Sequence, residues 1–249
     1  MTTRRSFLEM LAAGLILGVR NQAEAATNPF VSIERYSANR LTPILVDPVY
    51  ATSRNFMGRT MPGYEAEKAW THPEIVDDLI AVNQTLQQHG LQLLVKDAYR
   101  PIQASEAMMQ WGREQEQAGK GKYVGKWVAY INRSEGKYSG HNYGRTIDVT
   151  LATLNGQEVW MGSQFDEFSL YSEFYNAHDK KMEDDKMAFA GKGYIVHPML
   201  SPFQLREILR EAMHASFIPY SALKERTAEW WHFSSKRIPA TKPYDDVIQ

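Results

Sequence analysis

Thr146-Ile147-Asp148-Val149-Thr150-Leu151 alternates aliphatic and polar side chains over six positions, in a run rich in β-branched residues. A period of two predicts a strand rather than a helix, because successive side chains on a strand point to opposite faces. Ile147, Val149 and Leu151 then enter a core, and Thr146, Asp148 and Thr150 face the other way. A carboxylate is thus aimed away from the apolar layer. Working outward, Leu91–Val95 reads as a buried strand that leads into Asp97-Ala-Tyr-Arg100-Pro101, where proline stops it. Helical spacing marks Glu74–His89, ending at Gly90, and Ser105–Gln115. It also marks Phe203–Ala215, with Pro202 at its first turn. Trp231–Ser235 reads as a closing strand.

With 249 residues, 43% hydrophobic and 23% charged, and with no repeat, the chain is expected to form one main domain with a substantial core. A net charge of −1 gives no footprint for nucleic acid, and beyond the N-terminus no apolar run is long enough to span a bilayer. Cysteine is absent, which excludes disulfides, thiolate nucleophiles and thiolate metal sites. Residues 1–25 read as a twin-arginine export signal. Arg4-Arg5-Ser6-Phe7-Leu8 is followed by an apolar run from Leu11 to Val19 and by Ala23-Glu24-Ala25, a small-residue cleavage pattern. A mature domain of residues 26–249 in the periplasm, or otherwise exported, is the corresponding expectation. Gly119–Lys126 is basic and glycine-rich, and reads as a solvated loop rather than a substrate-binding patch.

His141 precedes the decisive strand by a turn containing Gly144, so a hairpin-like bend brings its ring back toward Asp148. Far along the chain, Glu229-Trp230-Trp231-His232 offers a second imidazole and a second carboxylate. The pair three apart meets on one face of a helix and diverges on a regular strand, so a bend is expected at Glu229. Alone, such a pair fits a solvated helix face with a packed histidine, and both tryptophans fit a core. Together with His141 and Asp148, it completes the inventory of a catalytic zinc site: three ligands, an open position for water, and a spare carboxylate as base. His72, His89, His178, His197 and His214 sit in no such constellation.

These motifs carry a family resemblance. Ser139-x-His141-x-x-Gly144-x-x-x-Asp148 followed by Glu229-Trp-Trp-His232 resembles the VanX-type zinc D,D-peptidases, the D-alanyl-D-alanine dipeptidases. Supporting blocks run in order through the chain. They are Tyr50-Ala-Thr, Asn55-Phe56-x-Gly58, Asp97-x-Tyr99-Arg100-Pro101, Met161-Gly-Ser-x-Phe165-Asp166 and Phe217-x-Pro219-Tyr220. Thr146 departs from the family's usual alanine and adds a hydroxyl beside the site, and residues from about 115 to 134 depart from its pattern.

The resemblance implies an α+β fold: a small, mostly antiparallel sheet packed against helices, of the hedgehog/D,D-peptidase kind, with a zinc cleft on its open face. It implies one Zn2+ held by His141, Asp148 and His232, and hydrolysis of D-alanyl-D-alanine or a related small dipeptide by attack of a zinc-bound water. Glu229 is then the general base and Arg100 the partner of the developing oxyanion, with a structural salt bridge as the plainer role for Arg100. Tyr50, Ser139 and Asp166 match positions that read the dipeptide's free amino end. Their plainer roles are a cap at the bend for Ser139 and a helix cap near Glu167 for Asp166. A substrate with a blocked amino group is expected to leave Asp166 unpaired and to meet the closed end of the pocket. The alternatives are a D,D-carboxypeptidase acting on peptidoglycan stem peptides and a non-catalytic wall-binding protein.

Overall fold

The computed structural model describes residues 29–174, 193–219 and 229–249; the export segment, His178 and Tyr220 lie outside them. The decisive stretch is a strand, β5 (Thr146–Thr153), in the interior of a five-stranded sheet. The other members are β2 (Leu45–Val46), β4 (Leu91–Asp97), β6 (Phe217–Pro219) and β7 (His232–Ser235), in the order β2-β4-β5-β7-β6. Only the β2–β4 pair is parallel. The sheet is therefore mixed and mostly antiparallel. A separate two-stranded ribbon joins β1 (Val31–Ser32) to β3 (Trp70–Thr71).

One face of the sheet carries Leu93, Val95, Ile147, Val149, Leu151 and Phe233 into the main core. Helices α2 (Pro73–Gln87) and α4 (Pro202–Met213) cover it. Ile75, Leu79 and Leu86 of α2 and Leu205, Leu209 and Met213 of α4 are essentially sealed from solvent. The expected helical spacings hold, and each helix begins one residue earlier than the spacing predicts because proline occupies its first turn. Helix α4 carries a full capping box: Gln204 N–H donates to Ser201 Oγ and Ser201 N–H donates to Gln204 Oε1. The short helix α1 (Ile33–Ser37) packs beside α2. Helix α3 (Ile102–Gln117) starts directly after Pro101, so the proline that ends β4 also opens a helix, three residues ahead of the expected start.

The opposite face is where Thr146, Asp148 and Thr150 point, as the alternation predicts. Here a second apolar cluster, including Tyr50, Tyr64, Tyr99, Met108 and Val128, closes around the polar end of the sheet. Between Val95 and Asp97 the β4–β5 register shifts, and Asp97 lands opposite Asp148. That irregularity sets two carboxylates side by side at the sheet's open end.

Candidate active site

Strand pairing places two of the expected ligands. Asp148 and His232 are register partners across β5 and β7. The third rides on a 3-10 turn, Gly140–Tyr143, that runs into β5. Ser139 caps the turn, accepting from His141 N–H at 3.4 Å, and its own N–H donates to Asn142 Oδ1 at 2.8 Å. Asn142 in turn donates to Arg100 O and Ser105 Oγ, which rivets the turn to the β4–α3 connection. Gly144 closes it in the left-handed region, at φ 63°, where a Cβ would also strike the Phe30 ring.

The three side chains converge. His141 Nε2 lies 3.3 Å from Asp148 Oδ2 and 3.4 Å from His232 Nδ1, while His232 Nδ1 lies 3.0 Å from Asp148 Oδ1. Tetrahedral bonds of about 2.0–2.2 Å separate ligand atoms by about 3.3–3.6 Å, which the 3.4 Å between the two ring nitrogens matches, while the two Asp148 oxygens face one nitrogen each. Asp148 Oδ1 is buried, and its close polar neighbour is His232 Nδ1 at 3.0 Å, a contact without hydrogen-bond alignment that a cation held between the two would satisfy. His141 Nδ1 donates to Ala98 O at 2.7 Å, which fixes the tautomer and leaves Nε2 with its lone pair toward the site. Burial lowers the pKa of His232 against the pull of Asp148, a shift toward the neutral ring that a metal ligand needs. Burial alone would raise Asp148, but His141 and His232 outweigh it and hold the carboxyl far below its usual range. Among the described residues this is the one cluster of three His, Asp or Glu side chains fit to hold a metal.

Glu229 stands at the rim. The chain bends there as expected: His232 N–H donates to Glu229 O at 3.3 Å, and the Glu229 carboxylate comes within 3.9 Å of His232 Nδ1. Trp230 and Trp231 anchor the bend from inside the core, with Trp230 Nε1 donating to Ser163 Oγ at 2.8 Å. Arg100 makes the salt bridge expected as its plainer role and also lines the cleft. Its guanidinium is held by Asp97 at 2.8 Å, sits 3.4 Å from Asp148 Oδ2, and stacks over the Tyr50 ring at 4.8 Å. Burial opposes its charge, yet the carboxylates of Asp97 and Asp148 keep it protonated.

Tyr50 donates to both oxygens of Asp166, at 3.1 and 2.9 Å. Burial, with the nearby charge of Asp148, raises the Asp166 pKa to about 8. Asp166 caps no helix: it adopts φ 58°, and the next turn, Leu170–Ser172, is capped by Ser169. A left-handed aspartate is tolerated but strained, a state that accumulates at functional sites. Ser139 is buried and lines the same cleft, so capping and substrate contact are both open to it.

All eight predicted residues line this one cleft of about 370 Å3. Sequence reasoning assigned no role to Asp97. Its Oδ2 faces both His141 Nδ1, at 3.3 Å, and Arg100, and its Oδ1 accepts from Tyr64 at 2.7 Å. The signal was its place in the Asp97-x-Tyr99-Arg100-Pro101 block. The loop after α3 is solvated as expected, with Gly119–Lys122, Gly125 and Lys126 exposed, and at its far end Gly125, Lys126 and Trp127 also line the mouth of the cleft.

Residues 41–249 match the D-Ala-D-Ala dipeptidase family of M15 peptidases. The chain belongs to this family. It is 29% identical to the D-alanyl-D-alanine dipeptidase of Enterococcus faecium over 208 residues, covering 80% of this chain and 90% of that protein. A D-alanyl-D-alanine dipeptidase of Streptomyces coelicolor is 28% identical over 209 residues, 80% and 90% of the two chains. The Escherichia coli one is 28% identical over 187 residues, 74% and 75%. M15 membership fits the α+β architecture and the metal-competent cluster described above. No helix among the described residues is long and apolar enough to cross a membrane.

Proposed function

We propose that this M15 protein is an exported, zinc-dependent dipeptidase that hydrolyses D-alanyl-D-alanine. The observation that carries the reading is the convergence of His141, Asp148 and His232, whose ring nitrogens lie 3.4 Å apart and 3.3 and 3.0 Å from the two Asp148 oxygens, with the Glu229 carboxylate and the Arg100 guanidinium beside them. Zinc, when held there, supplies Lewis acidity to the scissile carbonyl and a water acidified toward neutral pH. Glu229 takes the proton of the attacking water and returns it to the leaving nitrogen. Arg100, held in place by Asp97, presents its guanidinium to the oxygen on which charge develops, a contribution of about 3–4 kcal/mol in comparable sites. Tyr50 and Asp166 receive the substrate's ammonium. A carboxyl whose pKa is raised toward 8 gives up its proton when a cation binds against it. Export rests on Arg4-Arg5, the apolar run and Ala23-Glu24-Ala25.

The test separates ligand from base. His232→Ala should lose both metal and hydrolysis, whereas Glu229→Gln should keep stoichiometric zinc and lose about two to four orders of magnitude in kcat. Metal analysis beside a D-alanine release assay reads both, and an active Glu229→Gln enzyme would sink the assignment.

A second reading, carboxypeptidase action on stem peptides, draws on one feature. A cavity of about 340 Å3, lined by Arg54, Gln164 and Glu167, borders the cleft across Phe56 and Asp166, so space adjoins the amino-end subsite. A kcat/KM for the free dipeptide well above that for a pentapeptide ending in D-alanyl-D-alanine supports the dipeptidase; parity favours the carboxypeptidase.

A further inference from the structure

A free dipeptide carries an ammonium at one end and a carboxylate at the other, and the residues described so far meet only the first. Among the described residues lining the cleft, the cationic side chains are Arg100 and Lys126, beside the two imidazoles. Arg100 is committed to Asp97 and Asp148, and the imidazoles to the metal triangle. From this charge inventory we infer that Lys126 reads the substrate's terminal carboxylate and so restricts the enzyme to substrates ending at the second residue. The assignment rests on the dipeptidase reading.

The lysine is carried by a built wall. Tyr123 and Val124 N–H both donate to Glu116 Oε1 near the end of α3, at 2.7 and 2.8 Å. The N–H groups of Lys126, Trp127 and Val128 gather on Tyr123 O, and Gly125 N–H donates to Val128 O at 2.8 Å. Val128 is buried against Gly112 of α3, where a Cβ would come within 2.7 Å of its methyl. Only a helix without a side chain at that position admits the wall so closely. Tyr123 and Trp127 stack on the ring system of Trp111 and Phe168. The backbone at Lys126 is therefore fixed, and its ammonium lies 4.6 Å from the Trp127 ring centroid. A cation held over an indole keeps its charge available to an anion while losing less freedom on binding.

The experiment compares zinc-loaded parent, Lys126→Met and Lys126→Arg on D-alanyl-D-alanine and its C-terminal amide. The parent should prefer the acid. Lys126→Met should raise KM for the acid about tenfold or more, with kcat and zinc content held and the amide unaffected, and Lys126→Arg should restore most of the preference. Calorimetric titration of the Glu229→Gln protein with the same two ligands, with and without Lys126→Met, reads binding without turnover. A parent that binds the dipeptide but does not cleave it overturns the dipeptidase reading and leaves the lysine testable. An unchanged acid-to-amide ratio in Lys126→Met, or equal binding of acid and amide by the parent, overturns the lysine assignment.

Discussion

On the floor of the cleft, Asp148 and His232 are paired residues on neighbouring strands, and His141 sits on a turn tied to that sheet by Asn142, Ala98 and Arg100. On the walls, Asp166 and Lys126 belong to loops, each positioned by aromatic packing and a few backbone hydrogen bonds. A shift of one residue in the strand register would throw Asp148 into the core, so the floor has one arrangement or none. The walls have no such constraint. The proposed function thus puts reaction chemistry on the part that is set by the sheet, and recognition on the part that loop sequence can alter.

If the floor owes its geometry to more than register, Asp97→Asn should expose it. The substitution keeps shape but removes the charge that faces both His141 Nδ1 and Arg100. Zinc affinity should fall about 10- to 100-fold, as is usual when a metal-bound histidine loses the carboxylate behind it. Competition against a chelator measures it. Unaltered affinity would mean that strand pairing and the Ala98 carbonyl suffice.

Sequence patterning made the floor legible and left much of the walls hidden, for a physical reason. Alternation along β5 places Asp148 from its own neighbours, and the spacing of α2 and α4 follows from local apolar periods. The short edge strands β2 and β6 offer two and three residues, too few for a period, and neither was anticipated. The Gly119–Lys126 segment has a solvated composition, yet its far end packs because Gly112 lacks a side chain, a contact that no local pattern encodes. Arg206 is a similar case. Helical spacing marks it as a neighbour of core leucines, but it is fully buried and donates to Met161 O, Glu173 O and Tyr171 O, holding together the segment that bears Asp166.

The wall should respond more gently and through charge. Asp166 has its pKa raised from 3.8 to about 8 in the folded chain, so the fold favours its protonated form. Its stabilising protonation is complete below about pH 4 and is lost as pH climbs through about 8. Asp166→Asn cannot ionise, and Asn accepts the same left-handed backbone. In metal-depleted protein, the Tm of the variant should therefore gain on the parent between pH 4 and 8 and level off above it. A constant difference across that window would show that Asp166 titrates normally, and that Tyr50 and solvent already satisfy its charge.

Thr146 gives the finest test, because it lies on the floor, on the same strand and face as Asp148. It pairs with Ser234 two positions before the Asp148–His232 pair, and the two hydroxyls meet at 2.9 Å. Its Oγ1 also fills the space that a Cβ on Gly140 would need, directly before His141. Thr146→Ala removes one buried hydrogen bond and leaves a small void, which should cost about 1 kcal/mol, or roughly 2–4 °C in Tm. The ligand atoms are set by the pair two residues further along the strands and by the Ala98 carbonyl, so zinc affinity should stay within about twofold of the parent, well short of the loss expected for Asp97→Asn. Thermal unfolding and the same chelator competition decide it. If affinity falls as far as it does in Asp97→Asn, the hydroxyl is shaping the ligand triangle, and the floor is set by side-chain contacts next to the site as much as by strand register.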